Sequence, residues 1–169
     1  IRHNMRDGFP LLTTKRMYTD GIATELKWFL RGDTNIKYLV DNKCNIWNGD
    51  AYKNYQQTAP YSIEVENEEN TYRQLTQEEF IEQIKTDDKF AQKWGALGPI
   101  YGAQWREWGA RYETNYILEQ TKRVKPGIDQ LKNLIEDIKS NPDSRRLMVS
   151  AWNIEQLDDM RSEERRVGK

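Results

Sequence analysis

The sequence predicts a mixed α/β (α+β) fold, and three observations predict it. Apolar residues recur with a period near 3.6 over residues 20–30 and again over 128–138, the spacing of helices that bury one face. They alternate with a period of two over 145–152, the spacing of a half-buried strand. Turn-forming Gly and Pro punctuate the chain at 8–10, 97–102, 126–127 and 141–144.

The composition bounds the function. The chain has 169 residues, enough for one ordinary domain. Lys and Arg number 26 and Asp and Glu 27, a net charge of −1, which excludes a strongly basic nucleic-acid arm and an acidic solvating tail. No stretch approaches the roughly 18 apolar residues that crossing a bilayer takes, and Ile1–Asp7 lacks a signal-peptide pattern. The single cysteine, Cys44, excludes an intrachain disulfide framework and a Cys-cluster metal site, and suits a reducing cytosolic setting. With one histidine, His3, no multi-His metal site is expected. Leu, Ile, Val and Phe total only 34 residues, so the core leans on the large rings of 6 Trp and 9 Tyr.

The elements follow in order. Gly8-Phe9-Pro10-Leu11-Leu12-Thr13-Thr14 reads as a turn entering an extended segment. A helix follows from about Asp20 to Leu30, with Ile22, Leu26, Phe29 and Leu30 as its stripe and Gly32 placed to end it in a left-handed conformation. Asp33-Thr34 is expected to cap a short helix containing Ile36, Leu39 and Val40. Residues 52–93 read as a surface insertion with one amphipathic helix, opened by the capping box of Thr76 and Glu79; nine acidic against four basic side chains over 64–93 suit a solvated face. Leu97–Gly102 reads as a loop leading to Gln104–Trp108. Pro126-Gly127 opens a helix carrying Ile128, Leu131, Leu134, Ile135 and Ile138. Pro142 ends it, and a strand is expected from Arg145 to Trp152.

Several residues are candidates for chemistry, each with a plainer reading beside it. Glu25 lies at the edge of the first helix's stripe, where a partly desolvated carboxyl can shuttle protons, or else reach past the stripe to water. Arg145 and Arg146 follow a tight turn; two guanidinium forks suit a phosphate dianion, or form a solvated loop. Tyr101, in a Gly/Pro-bounded loop, can relay a proton through its hydroxyl, or simply pack. Trp47, Trp94, Trp105 and Trp108 can stack on a flat heterocycle or fill the core. Cys44 reads as a buried structural thiol, and His3 has no evident role.

The joint order of four stretches is more specific. Phe9-Pro10-Leu11-Leu12-Thr13-Thr14-Lys15-Arg16, Glu25–Asn35 (ELKWFLRGDTN), Gly98–Arg106 (GPIYGAQWR) and Asn141–Asn153 (NPDSRRLMVSAWN) resemble the thymidylate synthase family, in that family's order. The resemblance runs from Ile1 to about Met160, apart from the insertion between Trp47 and Trp94. It implies an α/β fold whose large mixed sheet packs against the same sheet of a second subunit in a cytoplasmic homodimer. It implies methylation of dUMP to dTMP, with 5,10-methylenetetrahydrofolate as one-carbon donor and reductant and no metal. On this resemblance Glu25 organises proton transfer and Tyr101 handles the C5 proton. Trp47 belongs to the folate pocket, Lys15 lies near the folate's glutamate tail, and Arg145 and Arg146 hold the dUMP phosphate of the partner subunit.

The departures set further expectations. The family's nucleophile sits in a Pro-Cys-His segment beyond the position of Met160, where this chain reads Arg161–Lys169 and resembles nothing in the family. Tyr18 and Asn48 stand where many relatives have His and Asp. The expectation is therefore a partial family domain over 1–160, a non-family tail over 161–169, and no activity from this chain alone for want of a matching thiol. Two other readings remain open at this point. One is a pyrimidine nucleotide hydroxymethylase of the same fold; the other is a non-catalytic interaction protein.

Overall fold

A computed structural model describes residues 3–11, 14–61, 63–64, 72–115 and 120–156. Leu12 and Thr13 of the first family-like stretch, much of the acidic insertion before Tyr72, and the tail from 157 onward lie outside the described residues. The described residues hold seven α-helices and two antiparallel two-stranded ribbons.

Helix α1 (Thr19–Leu30) forms where the 3.6 period predicts it. Its buried face is turned by about one residue from the expected stripe. Gly21, Trp28 and Phe29 are buried, while Leu26 and Leu30 are each 44% exposed. The indole is the reason: Trp28 has more apolar area to hide than either leucine and is 0% exposed, and its Nε1–H donates to Asn35 O at 2.9 Å. The rotation brings half-buried Glu25 onto the inward face, between Gly21 and Trp28. Gly32 ends the helix at φ +72°, as expected of its left-handed position.

The cap of α2 (Lys37–Asp41) corrects the expectation of an Asp33-Thr34 cap. Asp33 Oδ1 accepts from Asn35 N at 2.9 Å in a local turn, and Asn35 Oδ1 then accepts from Lys37 N at 2.9 Å. The Asn35 amide also donates to Ala91 O at 2.7 Å, so one side chain joins two helix ends. Ile36 N donates to Gly95 O and Leu97 N to Thr34 O, which pins this loop against residues 95–97.

The stretch expected to be a surface insertion is instead core-forming where it is described. It follows α3 (Asn48–Thr58) with the short ribbon β1 (Ile63–Glu64) and β2 (Tyr72–Arg73), then α4 (Gln77–Thr86) and α5 (Asp88–Trp94). Phe80, Ile84 and Ala91 join Trp28, Ile36, Leu39 and Tyr55 in one buried cluster. Charge counts missed this because α4 turns Glu78 and Glu82 to solvent while it buries Phe80 and Ile84. The capping box of α4 is formed as predicted: Thr76 N donates to Glu79 Oε2 and Glu79 N to Thr76 Oγ1. Arg73 adds a two-pronged pair to Glu79, at 2.6 and 2.7 Å.

Helix α6 (Tyr101–Glu107) begins inside the stretch expected to be a loop. A Cβ on Gly102 would stand 2.6 Å from Asp33 O, so only glycine lets α6 approach the turn after α1 this closely. The ribbon of β3 (Arg111–Asn115) and β4 (Gln120–Lys125) is absent from the sequence prediction, because its residues alternate too weakly in polarity to mark a face. Helix α7 (Gln130–Ser140) starts later than expected, with Asp129 as its cap, and Ile128 pairs with Trp108 instead.

The strand expected over Arg145–Trp152 does not form among the described residues; the segment is irregular. A strand needs a neighbouring backbone, and here the Gln130 side chain takes the place of one at Ser150. Gln130 accepts from Ser150 N at 2.9 Å and donates to Ser150 O at 2.7 Å, while also donating to Gln104 O.

Candidate active site

The first family-like features meet in a cavity of 260 Å³ lined by Glu25, Phe29, Ile46, Trp47, Asp50 and Tyr101. Three elements build it. The inward face of α1 supplies Glu25 and Phe29, one turn apart. The turn into α3 supplies Ile46 and Trp47, and the first turn of that helix supplies Asp50. The start of α6, held close by Gly102, supplies Tyr101.

The Trp47 indole N–H donates to Glu25 Oε1 at 2.7 Å, which orients the carboxylate from one side. Trp47 is itself buried and wedged among rings. It meets Phe29 edge-on at 6.2 Å and Tyr101 at 6.3 Å, and Phe29 meets Tyr101 at 5.1 Å. The aromatic wall is thus rigid, and its polar groups are two carboxylates, a phenol and an indole. Such a site favours a flat ring bearing N–H donors. Its volume falls just below the roughly 300–1,000 Å³ typical of drug-sized pockets, room for about one ring system.

Of the residues singled out in the sequence, Glu25, Trp47 and Tyr101 come together here. Tyr101 does so from the first turn of a helix, not from the expected loop. Lys15, Arg145 and Arg146 do not line this cavity; all three are exposed, the arginines on the turn after Pro142, where Arg146 N donates to Ser144 Oγ. Asp50 and Ile46 were missed. Asp50 had a signal: it lies three residues after Trp47 at a helix start, the spacing that puts two side chains on one face.

Cys44 is a buried thiol, as the sequence suggested. Its Sγ points to Gly21 O at 3.8 Å. Burial pushes its pKa up, opposed by a hydrogen bond from the Ile46 backbone and reinforced by the nearby Glu25 charge. His3 contacts Gly8 O at 2.7 Å on the surface. Among the described residues no cluster of three or more His, Cys, Asp or Glu side chains is placed to hold a metal, and no helix is long and apolar enough to cross a membrane.

The sequence comparisons agree with one another. The thymidylate synthase family profile matches residues 1–163. The chain is 44% identical over 159 residues to the thymidylate synthase of Mesoplasma florum, covering 94% of this chain and 46% of that protein. It is 46% identical over 152 residues to that of Mycoplasma pneumoniae, covering 90% of this chain and 43% of that protein. It is 42% identical over 160 residues to that of Mycoplasma genitalium, covering 95% of this chain and 46% of that protein. The chain therefore spans a little under half the length of these relatives. With a match over almost all of its own length, it belongs to the thymidylate synthase family.

Proposed function

We propose that this chain supplies the folate-facing and proton-handling wall of a thymidylate synthase active site. The reaction is the conversion of dUMP to dTMP with 5,10-methylenetetrahydrofolate, which supplies the one-carbon unit and the hydride. The observation that supports it is the Trp47 Nε1–H bond to Glu25 Oε1 beside Tyr101 in one aromatic cavity. On this reading Trp47 and Phe29 present ring faces to the pteridine. Glu25, oriented by the indole, exchanges protons through its other oxygen, and the Tyr101 hydroxyl receives or relays the proton lost from the pyrimidine. Lys15 lies along the folate's glutamate tail. Arg145 and Arg146 reach a dUMP phosphate held by the partner subunit of a cytoplasmic homodimer. Their exposure on a turn suits a target outside their own chain.

The same reading makes the 169-residue chain inactive on its own. Pyrimidine C6 must be attacked by a thiolate. The only thiol here is 1% exposed, has a raised pKa and lies outside the cavity lining. The test joins residues 1–160 to the C-terminal remainder of the Mesoplasma florum relative and follows dihydrofolate formation from dUMP and methylenetetrahydrofolate. The chimera is expected to turn over, its Glu25→Gln variant to lose about 10²–10⁴-fold in kcat, and the 169-residue chain to give no product. Full activity of the Glu25→Gln chimera, or turnover by the chain alone, would overturn the assignment.

A further inference from the structure

A second cavity, of 330 Å³, lies between α3, α4 and α5 and shares no lining residue with the first. Its walls include the rings of Tyr55, Phe90 and Trp94, with Ala59 beside them and Gln83 and Lys93 as hydrogen-bonding groups. The rings do not stack flat on one another. Tyr55 meets Trp94 edge-on at 5.3 Å and 85°, and Phe90 at 6.0 Å and 49°. Tyr55 is buried against Tyr52 and Phe80, while half-buried Phe90 and Trp94 offer part of their apolar surface to the cavity.

The charge of the cavity decides what that ring must carry. Lys93 Nζ sits 5.3 Å from the Trp94 ring centroid, and among the described residues it pairs with no carboxylate. No acidic side chain lines the space. The first cavity is the reverse, with Glu25 and Asp50 and no cation. An anion that suits Lys93 is repelled from the Glu25 side, so the two spaces select different ligands. Nothing in the proposed methyl transfer uses α4 or α5.

We propose that this cavity is a separate binding site for a planar aromatic compound bearing one carboxylate: the ring lies among Tyr55, Phe90 and Trp94, the carboxylate meets the Lys93 ammonium, and the Gln83 amide offers a further hydrogen bond. It is independent of the reaction assigned above.

The test uses the 169-residue chain and indole-3-acetate as probe, read from the indole N–H signals of its 6 tryptophans by heteronuclear NMR, with Trp94→Phe assigning the signal of interest. An acid of this size is expected to bind with Kd on the order of 1 mM, shifting the Trp94 signal and sparing that of Trp47. Tryptamine, the cationic isostere, is expected to leave the Trp94 signal unmoved. Lys93→Gln is expected to weaken indole-3-acetate about threefold to fivefold, the range of a partly exposed ion pair. Ala59→Leu, which fills the cavity, is expected to abolish binding, and Glu25→Gln to leave it unchanged. Equal binding of tryptamine, undiminished binding by Lys93→Gln, or no shift at about ten times the expected Kd would overturn the proposal. A dispersed indole spectrum checks that each variant is folded.

Discussion

The two parts of the described chain contain similar proportions of apolar sequence, used to opposite effect. From α1 to α6 the large side chains close on one another: Trp28, Ile36, Leu39, Phe80, Ile84, Leu97 and Ile100 are all fully buried. From Trp108 to Ile154 they do not. Ile128, Ile135, Ile138, Met148 and Trp152 are all between 46% and 77% exposed, and α7 buries no residue. The family match covers both regions equally, over residues 1–163. Family membership is thus written into local motifs, whereas a core exists only where elements far apart in sequence supply each other's neighbours. The first region has these within the described residues: Asn35 bonds Ala91 across 56 positions, and Gly102 admits the Asp33 backbone. In the second, the Asn153 amide donates to Gln104 across 49 positions, which again draws on the first region.

The contrast can be tested by substitutions ranked by expected effect. Trp28→Ala removes the largest fully buried side chain and strands the Asn35 carbonyl. It is expected to cost about 3–5 kcal/mol, read as the midpoint of urea unfolding. Survival of the midpoint would mean that the core is not organised around this ring. Gly102→Ala pushes a methyl against Asp33 O and is expected to cost about 1–3 kcal/mol. It should also separate Tyr101 from Phe29, seen as loss of near-ultraviolet circular dichroism. In the open region Ile138→Ser is expected to change stability by no more than about 0.5 kcal/mol while raising solubility; a large loss would show that α7 is buried in solution.

A pH series sharpens the same comparison. Arg73 first, then the Thr76 backbone N–H, hold the Glu79 carboxyl down at about 2, below its ordinary 4.5. A carboxyl with a lowered folded pKa binds fewer protons in the native state. Its stabilising effect is therefore complete above about pH 4.5 and lost as pH falls toward 2. The urea midpoint should fall with acid over that window in the native chain and fall less in Arg73→Ala. Both side chains are partly exposed, so the effect should be modest and weakened by salt.

Much of the candidate site was legible because its residues sit in strongly periodic or punctuated sequence. Glu25 could be placed beside the apolar stripe of α1 by spacing alone, and the Thr76–Glu79 box announced the start of α4. What was illegible depended on distant partners. Which face of α1 turns inward was decided by Trp28 meeting the loop at Asn35, not by the count of leucines. Asp50 joined the cavity because α3 begins at Asn48 and holds Trp47 against Glu25. The alternation over 145–152 is a capacity for pairing, and no neighbouring strand meets it among the described residues.

Sequence alone therefore determined the family, the segments that form α1, α2, α4 and α7, and the capping box, since these rest on local motifs, spacing and short-range hydrogen bonds, while the family resemblance named Glu25, Trp47 and Tyr101 as candidates. Tertiary structure alone decided that those three share one cavity, that α4 and α5 supply core residues, and that Lys93 stands beside a second space of opposite charge. The reason is physical. Periodicity states which side chains can be hidden, but burial and charge complementarity arise only when a second element arrives to cover them.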